Sequence, residues 1–189
     1  MIHLGSDPHK DLARLLRTKS VRFGKFTLAS GKESDFFIDC KQAILDATGH
    51  LWAGQVMLEA VASNFPDAKA VAGVELGGCP LASAVSLLSA VSEIQDLPAL
   101  YVRKAKKDHG TGALVEGKGS LPAGTPVVLL EDVFTTGGSS LRAIQTLKNE
   151  GFEVLGVVGL VNRNEGADEA FKAAGIEAIA IYTKEQFLE

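Results

Sequence analysis

Several things are scarce or missing in this chain of 189 residues, and each absence removes a class of function. Cysteine occurs twice, as Cys40 and Cys79, with no C-x-x-C spacing. Two cysteines do not make a disulfide framework, and they read as small buried apolar residues of a reducing compartment. No apolar run approaches the ~20 residues of a membrane span. The opening Met1-Ile2-His3-Leu4-Gly5-Ser6-Asp7 has neither the charged nor the apolar region of a signal peptide, so a cytoplasmic protein is expected. Basic charge is not in excess: 19 Lys and Arg stand against 23 Asp and Glu, a net charge of −4. A general nucleic-acid binder shows a basic excess or face, and only one short basic run occurs here. His3, His9, His50 and His109 have no zinc-ligand spacing and no H-E-x-x-H. Neither a G-x-S-x-G elbow nor a G-x-x-x-x-G-K-[ST] loop is present.

What remains is an ordinary globular composition, 46% hydrophobic and 22% charged. At about 150 residues per domain the length suggests one compact unit, large enough to bury its core without staples. The 20 glycines exceed the usual share, a sign of loops where backbone approaches a ligand. Ser6-Asp7-Pro8 starts a helix bearing Leu12, Leu15 and Leu16. Short strands are predicted at 26–28 and 36–38, with turn residues between them. Thr48 caps a helix running towards Phe65, ended by Pro66. Beyond it the pattern is regular: strands at 70–74, 99–102, 126–130, 154–161 and 176–181, and helices at 80–91, 141–148 and 169–174. Gly151 and Gly175 stop the last two helices. Strands without polar alternation, separated by helices, predict a parallel sheet covered on both faces. Ligands of such sheets bind beyond the carboxyl ends of the strands.

The segments after the strands carry the chemistry. Glu131-Asp132-Val133-Phe134-Thr135-Thr136-Gly137-Gly138-Ser139-Ser140 places two carboxylates before a loop of small residues that opens a helix. Backbone N–H groups and hydroxyls there suit one phosphate. The carboxylates would repel it and so face sugar hydroxyls or a magnesium ion. Arg103-Lys104-Ala105-Lys106-Lys107-Asp108-His109-Gly110 sets four cations and a histidine in a glycine-dotted loop, suited to pyrophosphate. Gly77-Gly78-Cys79-Pro80 again joins a strand to a helix, with paired glycines permitting close approach of an anion. Aromatic residues lie about the Ser30-Gly31 turn, and Arg163 at another strand end could fork onto a carboxylate.

In combination these residues resemble the type I phosphoribosyltransferases. The segment from Val127 to Ser140 looks like their signature for phosphoribosyl pyrophosphate (PRPP). Phe26-x-Leu28-x-Ser30-Gly31-x-x-Ser34, Arg103-Lys104-x-x-Lys107-Asp108-His109-Gly110 and Asn162-Arg163 look like the orotate branch, in its single-function form. The resemblance implies a type I phosphoribosyltransferase fold: a central, mostly parallel sheet with helices on both faces and a small N-terminal hood. Residues 1–45 would form the helix and hood of the base site, and 46–189 the core. It implies transfer from PRPP to orotate with Mg²⁺, giving orotidine 5′-monophosphate and pyrophosphate. By the same resemblance Glu131 and Asp132 hold the ribose hydroxyls. Val133, Phe134, Thr135, Thr136, Gly137, Gly138 and Ser139 surround the 5′-phosphate, and Gly77 and Gly78 face pyrophosphate. Thr135, Arg163, Phe36 and Phe37 serve orotate. Arg103, Lys104, Lys107 and His109 belong to a catalytic loop shared between the subunits of a homodimer. Mg²⁺ would be held mainly by PRPP and water, and no nucleic-acid or membrane partner is expected. Three positions depart from the pattern. Ala29 and Gly77 stand where some members carry lysine, and Asn162 where aspartate often precedes the arginine. Transfer to a purine base, and a silent PRPP-sensing regulator, are the other readings.

Overall fold

The computed structural model describes residues 7–27, 33–105 and 113–188. Helix α1 (Pro8–Lys19) starts where Asp7 accepts hydrogen bonds from the N–H groups of His9 and Lys10, with proline in its first turn. Strands β1 (Val21–Thr27) and β2 (Glu33–Ile38) pair antiparallel as a separate ribbon. Both begin before the predicted segments, because the start of each is paired with the end of the other, Val21 with Ile38 and Thr27 with Glu33, a pairing that no local pattern announces. A single-turn helix α2 (Lys41–Ile44) follows, unforeseen because four residues show no period. Helix α3 (Ala47–Asn64) is capped by Asp46, not Thr48. The Asp46 carboxylate accepts from the N–H groups of Thr48 and Gly49.

The remaining described chain runs β3 (Ala70–Val74), α4 (Gly78–Ser92), β4 (Ala99–Val102), β5 (Val115–Glu116), β6 (Pro126–Phe134), α5 (Gly138–Asn149), β7 (Glu153–Asn162), α6 (Ala167–Ala173) and β8 (Glu177–Thr183), strand and helix alternating except for the run β4-β5-β6. Six strands form one sheet in the order β5-β4-β3-β6-β7-β8, all parallel except the antiparallel edge pair β4–β5. The expected architecture is therefore present. Strand β6 runs four residues past its apolar stretch, because β7 continues beside it: Glu131 lies opposite Gly159, Val133 opposite Val161 and Phe134 opposite Asn162. The acidic pair thus sits within the strand rather than after it. Helices α4, α5 and α6 open earlier than their apolar period suggests, on small or acidic residues.

Alternate residues of the central strands feed two cores, one on each face. Val71, Val128, Leu130, Val158 and Leu160 pack with α1, α2, α3 and α4. Ala70, Ala72, Val127, Leu129 and Val157 pack with Ala143, Ile144 and Leu147 of α5 and Phe171 of α6. Burial on both faces explains the unbroken apolar runs. From β3 the chain proceeds outward to β4, and from β6 outward the other way to β7 and β8. The β3–β6 boundary is therefore the switch point, and the turns leaving both strands open the same crevice.

Candidate active site

Glu131 and Asp132 stand at that crevice. Glu131 is buried, and its Oε2 accepts from Ser140 Oγ at 3.0 Å and Ser139 Oγ at 3.3 Å, both in the first turn of α5. Burial, and then the charge of Asp132, pushes its carboxyl up to about 8, against the pull of the two serines. Burial also raises Asp132, while Lys41 draws it down. Two adjacent carboxyls in a poorly solvated site cannot both ionise cheaply, and Glu131 retains the proton to higher pH. Ligand hydroxyls or a cation would favour the ionised pair.

Beyond β6, Gly137 adopts φ +76°, the left-handed region open to glycine, and starts α5. Among the described residues no protein acceptor takes the N–H groups of Thr136, Gly137, Gly138 or Ser139. With the hydroxyls of half-buried Thr135, exposed Thr136 and Ser139, these donors make a candidate anion cradle at the start of α5. Val133 and Phe134 are positioned differently. The Val133 N–H donates to Asp132 Oδ1 at 3.0 Å, and the Phe134 ring is buried edge-on against Phe171.

The β3–α4 turn presses against the acidic pair. A Cβ on Gly77 would lie 2.0 Å from Asp132 Oδ2, and one on Gly78 would lie 2.4 Å from the carbonyl oxygen of Leu130. A side chain at position 77 therefore has no room while the Asp132 carboxylate stays in place. Glu75 in this turn accepts from the Lys104 N–H at 2.5 Å, joining the end of β4 to the end of β3. Lys104 is exposed beside the crevice. The Arg103 guanidinium lies 3.8 Å from Glu116, and its Nε is buried without an acceptor. Both residues line a 410 Å³ cavity with Ser139 and Arg142. Lys107 and His109 lie outside the described residues, as does Ala29.

Arg163 follows β7, its N–H bonded to the carbonyl of Phe134 at 2.9 Å. Its side chain is buried, with Nη2 2.7 Å from Glu165 Oε1 and 3.4 Å from the Phe36 carbonyl oxygen. The arginine thus links the end of β7 to Phe36 of β2 and Phe134 of β6. Asn162 donates through Nδ2 to both carboxylate oxygens of Asp168, at 2.9 and 3.0 Å. An aspartate there would set two carboxylates face to face, so asparagine suits this environment. Phe36 and Phe37, neighbours in β2, point to opposite faces. Phe36 is fully buried, whereas Phe37 is partly exposed and lies 5.6 Å from the ring of Phe26. Only one of the two rings can face a given base.

Lys41 escaped the sequence reading. It pairs with Asp39 at 2.5 Å, which raises its ammonium group, and its charge acts on Asp132 across the crevice. Beside it, Cys40 Sγ donates to the Asp132 carbonyl at 3.6 Å. A single lysine after a strand carries no motif, so only tertiary structure identifies it. Among the described residues no three His, Cys, Asp or Glu side chains converge to hold a metal alone. Two carboxylates beside an anion cradle fit instead a hard cation completed by phosphate oxygens and water.

A family profile for the phosphoribosyl transferase domain matches residues 40–177. The orotate phosphoribosyltransferase of Sorangium cellulosum (strain So ce56) is 53% identical over 184 residues, covering 97% of this chain and 95% of that protein. The enzyme of the same name from Thermosynechococcus vestitus is 44% identical over 177 residues, covering 94% and 91%. Among solved structures, the Mycobacterium tuberculosis H37Rv orotate phosphoribosyltransferase in complex with PRPP superposes with a TM-score of 0.77 at 30% identity, covering 97% of this chain and all of that one.

Proposed function

The chain belongs to the phosphoribosyl transferase family and, within it, to the orotate phosphoribosyltransferases, and from that premise we propose how its own residues perform the reaction. It transfers the ribose 5-phosphate group of PRPP to orotate, giving orotidine 5′-monophosphate and pyrophosphate, a step of pyrimidine (UMP) biosynthesis. The observation that carries this reading is buried Glu131 and half-buried Asp132 set against the free N–H groups of the β6–α5 loop at the sheet's switch point.

The loop N–H groups and the hydroxyls of Thr135 and Ser139 bind the 5′-phosphate. Glu131 and Asp132 accept from the ribose hydroxyls and fix the sugar with its C1 towards the β3–α4 turn. Arg163 holds orotate's carboxylate, and Thr135 and Phe37 bound its ring. The N–C1 bond forms as the bond from C1 to pyrophosphate oxygen breaks. The attacking ring nitrogen of orotate carries a proton, which passes to water or to the departing pyrophosphate as the N–C1 bond forms. Negative charge grows on pyrophosphate, and Lys104 and Arg103, with Lys107 and His109, stabilise it. The N–H groups near Gly77 and Gly78 face the same group. Glu131 and Asp132 would stand beside an Mg²⁺ held by PRPP oxygens and water, which would supply electrostatic stabilisation of the leaving group.

The working unit is a homodimer whose basic loop serves the neighbouring site. Leu87, Val91 and Ile94, spaced along one face of α4 and its end, are exposed, and Tyr101, bonded to Ser83 of α4, extends this apolar surface. Residues 1–45 act as the hood of the base site. No described helix is long and apolar enough to cross a membrane. Both cysteines are free, and burial raises both thiols, in keeping with a cytoplasmic enzyme. PRPP-dependent consumption of orotate, with adenine and guanine inert under the same conditions, is the expected result. Turnover of a purine base in place of orotate would overturn the reading.

A further inference from the structure

We propose that Glu165 is a built-in competitor for orotate: its carboxylate occupies the Arg163 guanidinium until the carboxylate of the base displaces it. The inference rests on the assignment of Arg163 to orotate made above. Three observations carry it. Arg163 is 7% exposed, so its charge requires a partner whenever the site is empty. Glu165 Oε1 supplies one, at 2.7 Å from Nη2. That contact leaves the guanidinium incompletely used. Nε is buried and without an acceptor, and the second contact of Nη2, to the Phe36 carbonyl, is long at 3.4 Å.

Nε–H and an Nη2 N–H lie along one edge of guanidinium and together match the two oxygens of a carboxylate. A ligand carboxylate docked on that edge fills the orphaned Nε and takes the Nη2 donor now held by Glu165. The glutamate side chain is 28% exposed, so on release it returns to solvent rather than to an unpaired buried position. The exchange replaces a one-point contact with a two-point one. It thereby rewards only a base that brings its own carboxylate: a base without one leaves the Glu165 pair intact and Nε unpaired. Glu165 is thus a specificity-determining residue that acts through Arg163, in the sense that selectivity arises from an alternative the wrong ligand cannot replace.

Glu165→Gln keeps the side-chain size and removes the competing charge. The orotate KM of this variant is expected to fall about two- to fivefold, the range of a partly exposed ion pair. The PRPP KM stays level, and the rise in Tm on adding orotate becomes larger than in the parent chain. Binding of uracil, the same ring without the carboxylate, is indifferent to the substitution. An unchanged or higher orotate KM in both Glu165→Gln and Glu165→Ala would overturn the proposal and make Glu165 a tether for the arginine. Arg163→Gln separates the two levels. Should it leave the orotate KM unchanged, the assignment of Arg163 itself fails. Should it raise the KM while the Glu165 variants do not lower theirs, only the competition fails.

Discussion

Glu131 is the residue on which the chemistry and the pH response both turn. Its carboxyl is raised to about 8 in the folded chain from 4.5. The folded state therefore holds a proton that the unfolded state has released. The group favours folding at low pH, and that contribution is lost as pH rises from 4.5 through about 8. Glu131→Gln is expected to flatten the fall in Tm over this interval. Ribose hydroxyls and a cation need the ionised pair, so Mg²⁺-PRPP binding tightens from pH 6.5 to about 8.5 as the proton leaves. Calorimetric titration of the parent chain against Glu131→Gln isolates this slope from the ligand's own ionisation. An equal slope in both would remove Glu131 from the account. Gly77 poses a steric test. A methyl group 2.0 Å from Asp132 Oδ2 must displace that carboxylate. Gly77→Ala is expected to lower kcat/KM for PRPP at least tenfold, about the effect of misplacing one binding group, with little change in Tm. Wild-type kinetics would show that Asp132 can move without cost.

Strand β6 carries both the core and the site, and the sequence displayed these two roles unequally. Residues 126–130 are an apolar run in any reading, because the strand is buried on both faces. Its continuation to Phe134 depends on β7 alongside, which no local pattern announces. The limits of α4 and α5 were blurred for a related reason: they open on Gly78-Cys79-Pro80 and Gly138-Ser139-Ser140, which carry no helical period. The motif of acidic pair and glycine loop was nonetheless legible, since a strand-to-helix turn needs none of those residues. Lys41, Glu75 and Glu165 were not, because each acts through a partner distant in sequence or hidden by burial. The helix cap at Asp46 was missed by two residues for want of geometry. Leu129, fully buried in the middle of β6, tests the strand's structural role. Leu129→Ala is expected to destabilise by about 2–5 kcal/mol in denaturant unfolding. Leu188→Ala, at a half-exposed position, should stay within about 0.5 kcal/mol. Similar losses for both would contradict the assignment of the core.

For the whole molecule, the apolar face of α4 and the basic loop make one joint prediction. A charge on that face, as in Leu87→Glu, is expected to convert dimer to monomer in sedimentation and to reduce kcat. Mixing it with a loop-deficient Lys107→Ala chain would not restore activity, since the altered face cannot associate. A monomeric variant with full activity would separate catalysis from assembly. The central claim, that the crevice at the β3–β6 switch point transfers phosphoribosyl to orotate, is tested most directly by one absorbance trace. Purified protein is mixed with PRPP, Mg²⁺ and orotate, and orotate's near-ultraviolet absorbance is followed. The account predicts a steady fall that needs both PRPP and Mg²⁺. PRPP bound with no loss of orotate would contradict it.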